Sequence, residues 1–323
     1  MLRGIVKKSV VTLLILCVII MVGATAGMAA YPDKPIKMVV TYNPGGGNDS
    51  TARVFSKYAQ EFLGQTVVIT NIAGAGGIVG AREVLNANPD GYTLLWMHEA
   101  LTTGALSGVA DFTWKDLTPI CQTCATADVL VVKSDSPIKN VDEFMTYIKN
   151  NPKKVRMPIN IGATTHFEMA AIDIAAGGDK IIPVASGGGA DRLKKLLGGF
   201  VEASSLNAPS VPQYVKAGEI RAIAVSTPER SPFFPDVPTF IEKGYKVIKP
   251  YNMNVFGPPN MDPEVVKTIS VAFKKMAADP RVKADLAGFM ASPHYLDQAQ
   301  LTKFLNDLDI NFGEIAKKAK IGK

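Results

Sequence analysis

Two glycine-rich turns, each set between a strand-like run and a helix-like run, constrain this chain more than any other feature. Asn43-Pro44-Gly45-Gly46-Gly47-Asn48-Asp49 follows the apolar run Ile36 to Val40, and Asn71-Ile72-Ala73-Gly74-Ala75-Gly76-Gly77 follows Val67-Val68-Ile69. Glycine tolerates φ > 0 and lets backbone N–H groups come close to a ligand. A helix that begins just after such a turn offers unpaired N–H groups and its positive dipole end to an anion. The pattern therefore predicts an α/β chain with a site built from main chain, suited to a carboxylate or phosphate.

The strand and helix signals keep alternating. Ile36 to Thr41 reads as a strand, and Asp49 to Leu63 as a helix with Ala52, Phe55, Ala59 and Phe62 at helical spacing. Asn48 or Asp49 is the expected N-cap, and Gly64 the expected stop. Val67 to Thr70 is a strand, Ile78 to Asn86 a helix and Tyr92 to Trp96 a strand. This βαβαβ start argues for a parallel sheet with helices on its faces. The theme repeats with a strand over Val129 to Val132, a helix over Val141 to Asn150 and an extended Arg156 to Ile161 before Gly162-Ala163-Thr164-Thr165-His166. A helix runs on to Ala176. Ile181 to Val184 leads into Ser186-Gly187-Gly188-Gly189 and a helix to Leu197. Val201 to Leu206 and Arg221 to Val225 read as strands around a helix over Pro209 to Ala217, and Tyr251 to Phe256 as another strand. The rest, from Pro263 to about Lys318, reads as helical. Two successive α/β units imply two lobes, and ligands of open α/β sheets lie outside the carboxyl ends of the strands.

The N-terminus reads differently. Arg3, Lys7 and Lys8 precede the apolar run Val10 to Val22, and small residues follow through Ala30. That is the layout of a secretory signal peptide over residues 1–29, with cleavage after Ala29 or Ala30. Cys17 lies in the middle of the apolar run, the wrong place for lipidation. Without the leader the formal charge of +6 falls to +3. No basic block interleaved with aromatics occurs, so nucleic acid is not an expected partner. Cys121 and Cys124 form a C-x-x-C ahead of the strand at Val129; two inert thiols, a local disulfide and redox or metal chemistry are all open.

Other chemistries fit poorly. A dinucleotide fingerprint starting at Gly74 would need glycine where Val79 stands, and neither turn continues into a phosphate-loop lysine. Ser186 is not in a G-x-S-x-G elbow. His166 at a helix start reads either as a donor to a bound carboxylate or as a capping and packing residue. His98 follows a strand end and is a candidate for the cleft; His294, after Ser292-Pro293, reads as surface. No acid–base or nucleophile constellation assembles, and no metal or cofactor is expected.

The residues carry a resemblance. Tyr31-Pro32-Asp33-Lys34-Pro35-Ile36, Pro44-Gly45-Gly46-Gly47-Asn48-Asp49, Ala52-Arg53, Leu63-Gly64-Gln65, Asn71-x-x-Gly74-Ala75-Gly76-Gly77 and Pro89-Asp90-Gly91-Tyr92-Thr93-Leu94 are in register with one family. So are Leu196-Leu197-Gly198-Gly199, Tyr214-Val215-Lys216-Ala217-Gly218, Arg221-Ala222-Ile223-Ala224-Val225 and Pro235-Asp236-Val237-Pro238-Thr239. In this order they resemble the tripartite tricarboxylate transporter receptors, the Bug-type periplasmic solute-binding proteins. The resemblance implies a two-lobed, type II-like periplasmic binding protein fold with the ligand cleft between the lobes. The first lobe is expected over 30–125 and 232–323, the second over 126–231. It implies that a ligand carboxylate is held by Asn43, Gly45, Gly46, Gly47, Asn48 and Asp49 of the first turn and Ala73, Gly74, Ala75, Gly76 and Gly77 of the second. His98 joins the site on its own position. From the second lobe, Gly162 to His166, with Thr164, Thr165 and His166, and Ser186, Gly187 and Gly188 would set specificity. One departure is plain: many members carry a Tyr-Lys-Gly-like stretch where this chain reads Ala185-Ser186-Gly187, so a cation and a ring are missing.

The expectation is a monomeric, periplasmic, non-enzymatic binding protein that takes a small carboxylate and passes it to membrane permease subunits. A sensory binding protein and an exported enzyme acting on an anion are the alternatives.

Overall fold

The computed structural model describes residues 31–322; the leader expected over 1–29, with Cys17, lies outside them. From Lys34 onward the chain forms one folding unit. Its first sheet starts with β1 (Ile36–Val40), β2 (Val67–Asn71) and β3 (Thr93–Met97), with β1 paired parallel to both others. β1 is buried along almost its whole length, as a parallel strand covered on both faces must be. The helices α1 (Gly47–Leu63) and α2 (Ile78–Leu85) make the crossovers. α1 inserts Phe55 between Trp96 and Phe273, with ring centroids 5.4 and 5.6 Å away. A Phe buried this fully contributes about 1.5–3 kcal/mol.

α3 (Ala100–Leu106) follows β3 directly, and β4 (Thr118–Thr126) leaves the first sheet to become β5 (Asp128–Lys133) of the second, with only Ala127 between them. The second half adds α4 (Val141–Asn150), β6 (Val155–Ile159), α5 (Thr164–Ala175), β7 (Ile181–Ala185) and α6 (Gly189–Leu197). Then come β8 (Ala203–Asn207), α7 (Pro212–Lys216) and β9 (Ile220–Val225). β5 lies antiparallel between β8 and β9, and β6 pairs parallel with β7. Glu202 joins these two pieces: its backbone N–H donates to Arg156 O at 3.2 Å, and its carboxylate receives the Arg156 guanidinium.

The chain returns through 226–251 to β10 (Asn252–Gly257), which inserts between β3 and β4. α8 (Pro263–Ala278), α9 (Pro280–Ala287), β11 (Ala291–Leu296) and α10 (Gln298–Ala319) complete it. The six-stranded order is β11-β4-β10-β3-β1-β2.

The structure adds detail to these expectations and changes two of them, the all-helical C-terminal stretch and the start of α1. The C-terminal stretch is not all helical: β11 interrupts it as an edge strand on β4, where Pro293 is tolerated. The C-x-x-C lies ahead of β5, as the sequence reads, and is itself part of a strand, β4; both thiols are free and buried, and burial pushes the Cys124 thiol up to about 12. α1 begins two residues early, at Gly47 with Gly46 as N-cap, so neither Asn48 nor Asp49 caps it. The stretch 232–247, expected with the first lobe, packs on residues from between 126 and 231. Phe234 packs with Val129, Leu193 and Leu206, and Phe240 and Val247 with Leu130, Phe144 and Ile223. α10 serves both halves. Its Leu301 and Leu305 pack with Val39 and Leu95, its Leu308, Phe312 and Ile315 with Phe167 and Ile172.

Candidate functional site

All five candidate segments leave the carboxyl ends of parallel strands: the turn at 43–49 after β1, 71–77 after β2, His98 after β3, 160–166 after β6 and 186–188 after β7. The first two turns are laced together. Asn71 Nδ2 donates to Tyr42 O and to Asp49 Oδ1, each at 2.9 Å, and Tyr42 Oη donates to Gly76 O at 2.8 Å. Asp49 Oδ2 accepts from Gly45 N and from Arg53 Nε, both at 2.9 Å. Desolvation opposes its charge, but the Arg53, Gly45 and Asn71 donors together hold the Asp49 carboxyl below its ordinary range. Asp49 is thus a brace for the turn, and Gly45, Gly46 and Gly47 stand exposed above it.

The helices start in different ways. α4, α8, α9 and α10 are capped by the side chains of Asn140, Asp262, Asp279 and Asp297. α1, α2, α5 and α6 begin on Gly46, Gly77, Ala163 and Gly188, and none of these supplies a side-chain cap. These four helices start at the carboxyl ends of parallel strands, and their N-cap residues offer no side-chain acceptor to the first N–H groups; α3, after β3, has its Ala100 N–H taken by His98 Nδ1 instead, and α7 starts uncapped away from these turns. That arrangement favours an anion at the shared end.

A cavity of about 170 Å³ is lined by Ala75, Gly76 and Ala100 of the first lobe and by Asn160, Gly162 and Ala163 of the second. The segments at 71–77 and 160–166 therefore face one another. The segment at 186–188 joins through Tyr251. Asn48 Nδ2 donates to Tyr251 Oη at 2.9 Å, and the Arg192 charge acts on the same phenol from the other lobe. Arg192 donates from Nε to Ser205 O and from Nη1 to Gly187 O, and it is 6% exposed.

Not every candidate group is available. Asp191 accepts both the Ser186 hydroxyl and the Gly187 N–H at 2.8 Å, so these two donors are spent within their own loop and Gly188 remains. Thr165 Oγ1 accepts from Asn160 N at 3.0 Å, which makes it a turn brace; Thr164 is buried beside it. His166 Nδ1 accepts from Gly162 N at 3.3 Å, a capping contact that leaves the ring proton on Nε2. Gly77 is buried and faces Thr41 and Met97 rather than open space. His98 is stacked between Tyr42 and Tyr251, at 5.2 and 4.7 Å between centroids. Its Nδ1 accepts from Ala100 N, and burial pulls its pKa down to about 3, so the ring is neutral. His294 is exposed, as read from the sequence.

Beneath the cleft lies an ion network that the sequence reading missed. Lys249 on the return segment pairs with Asp128 at the start of β5, both 1% exposed. Asn207 Nδ2 donates to the same carboxylate at 2.7 Å. Burial pulls Lys249 down to about 7, while Glu99 opposes that shift. Glu168 accepts from Ser226, and burial pushes its carboxyl up. A signal was present for Arg192: a cation in the first turn of a helix opposes the dipole. Nothing in the local pattern marked Lys249.

Glu99 yields a pH prediction. Burial pushes its carboxyl up to about 7, against the N–H of Asn252 that donates to it at 3.0 Å. The folded chain then holds a proton on Glu99 that the unfolded chain releases above about pH 4.5. Its favourable contribution is complete below that pH and is lost as pH rises through about 7. Glu99→Gln removes this slope. Its melting midpoint relative to wild type should climb between pH 4.5 and 7, by the equivalent of about 2–3 kcal/mol. Parallel pH profiles of the two proteins would refute the assignment.

Two α/β lobes joined by crossing segments, with helix starts gathered at the strand ends, define the two-lobed fold of the periplasmic binding proteins. The sequence matches the family described as "Tripartite tricarboxylate transporter family receptor" over residues 51–321, and the chain belongs to that family. Protein BugT of Bordetella pertussis is 32% identical over 299 residues, 88% of this chain and 90% of that protein. The structure of the periplasmic binding protein BugD superposes with a TM-score of 0.76 at 27% identity, covering 90% of this chain and 99% of that one. MatC from Rhodopseudomonas palustris, solved with bound malate, gives 0.74 at 22% identity over 88% of this chain and 99% of its own, a likeness of fold.

Proposed function

We propose that this chain is a periplasmic receptor that captures a small carboxylate between its lobes and delivers it, unchanged, to the membrane permease of a tripartite tricarboxylate-type transporter. One observation carries the reading: four helices start without a side-chain cap at the ends of the strands that meet at the cleft. Main-chain N–H groups would hold the carboxylate, chiefly those of Gly46 to Asp49 and Ala73 to Gly76, since the Gly45 and Gly77 N–H groups are taken by Asp49 Oδ2 and Gly74 O. On the far side, Arg192 is the cation nearest Gly187 and Gly188, where the Tyr-Lys-Gly-like stretch of other members is absent. Family membership supports the transporter partnership, and MatC, alike in fold, holds malate. Export through a cleaved leader fits the charged start and apolar run of residues 1–29.

A thermal-shift screen of mono-, di- and tricarboxylates tests this. A ligand that binds only the folded cleft adds about 2.7 kcal/mol at a hundred times its dissociation constant. For a chain of this size that raises the melting midpoint by roughly 5 °C. A library without a single shifting carboxylate, in which sugars or cations do shift, would overturn the anion reading. Conversion of the bound anion by the purified protein would overturn delivery unchanged.

A further inference from the structure

We propose that the groove behind the returning segment is a second small-molecule site, one that takes an apolar organic cation and is mechanically linked to the cleft. The groove has a volume of about 750 Å³, within the range of ordinary ligand pockets. One wall is the extended stretch 246–252. Lys246, Ile248, Pro250 and Asn252 line the groove, whereas Val247, Lys249 and Tyr251 turn to the core, to Asp128 and to His98. This is the alternation of an extended chain. The stretch therefore separates the two sites, with even positions on the groove and odd positions on the cleft and its ion network. The opposite wall is α10, through Phe304, Leu308 and Ile315, the helix that packs on both lobes.

Charge fixes the class of occupant. Among the described residues, the carboxylates of Glu229 and Glu314 line the groove without a hydrogen-bond or ion-pair partner. Asp307 is already paired with Lys303. Lys246 is the one lysine or arginine among the lining residues. Apolar walls with an excess of unpaired carboxylate suit a molecule with a hydrophobic body and an ammonium head. An occupant that bears on Ile248 and Pro250 bears on the same backbone that carries Lys249 and Tyr251. The two sites therefore influence each other's affinity reciprocally.

The three histidines report on the three places at once. His294 lines the groove, His98 stacks on Tyr251, and His166 stands at the start of α5. In a titration of the full chain with 4-phenylbutylammonium, without any carboxylate, the His294 ring resonances should move and saturate. The His98 resonances should move with the same midpoint, and those of His166 should stay. The surface variant Glu229→Gln/Glu314→Gln should weaken the midpoint by about threefold to tenfold, and uncharged 4-phenylbutanol should bind weaker than the amine. A still His294 overturns the site. A moving His294 with a still His98 overturns the linkage. Equal midpoints for amine and alcohol, or for variant and wild type, overturn the cation. Because no carboxylate is present, none of these outcomes bears on the cleft reading.

Discussion

Lys249→Met should lower the melting midpoint by roughly 5–10 °C, because it strands Asp128 without its cation in a site 1% exposed. Breaking a buried pair by removing one partner costs about 3–5 kcal/mol, and for a chain of this length each kcal/mol is worth roughly 2 °C. The pair joins the start of β5 to the return segment, and the backbone repeats the link: Ser226 N donates to Asp128 O and Lys249 N to Ser226 O. Asp128→Asn in the Lys249→Met background removes the stranded charge and keeps the contact to Asn207. The double variant should recover most of the loss, since replacing both members of a buried pair is often close to neutral. The measurement is a set of four thermal melts, read as a cycle. If Lys249→Met melts like wild type, or the second change gives no recovery, the pair does not tie β5 to the return segment.

That network marks the limit of what the sequence discloses. The strand–turn–helix units were legible because glycine turns, caps and apolar spacing are local signals; β1, β2, α4 with its Asn140 cap, and β9 fall where the pattern puts them. β11 was not legible, since Ala291 to Leu296 carries a proline and a histidine and becomes a strand only by pairing with β4. The packing of 232–247 was hidden for a similar reason. Proline punctuation signals a break, not which core receives Phe234 and Phe240. The turns of the site were visible, but their wiring was not. Asp191, five residues past Ser186, takes the donors that a ligand was expected to use. Lys249, Asp128 and Glu99 lie far apart in the chain and meet only because the crossing segments pass beside β3.

The same substitution in the two glycine turns should abolish carboxylate binding in both but cost stability in only one, and this is the sharpest test of the main-chain site. At Gly77 φ is +103°, and an added Cβ would lie 2.9 Å from Thr41 Oγ1 and 2.9 Å from Met97 Cε. Gly77→Val therefore combines a left-handed backbone penalty of about 1–2 kcal/mol with overpacking of about 1–3 kcal/mol. It should melt well below wild type, and the molecules that fold should not bind carboxylate, because the turn before α2 cannot keep its shape. At Gly47, the first residue of α1, an added Cβ meets nothing within 4 Å and the backbone is not left-handed. Gly47→Val should fold and melt within about 1 kcal/mol of wild type, since leaving glycine offsets part of the β-branch cost. Its isopropyl group would stand among the N–H groups at the start of α1, so the carboxylate-induced rise in melting midpoint should disappear. Isothermal titration of circular-dichroism-verified material reads both variants. A Gly47→Val protein that keeps wild-type affinity would show that the first turn does not hold the carboxylate. A Gly77→Val protein that folds and binds normally would show that the second is ordinary loop.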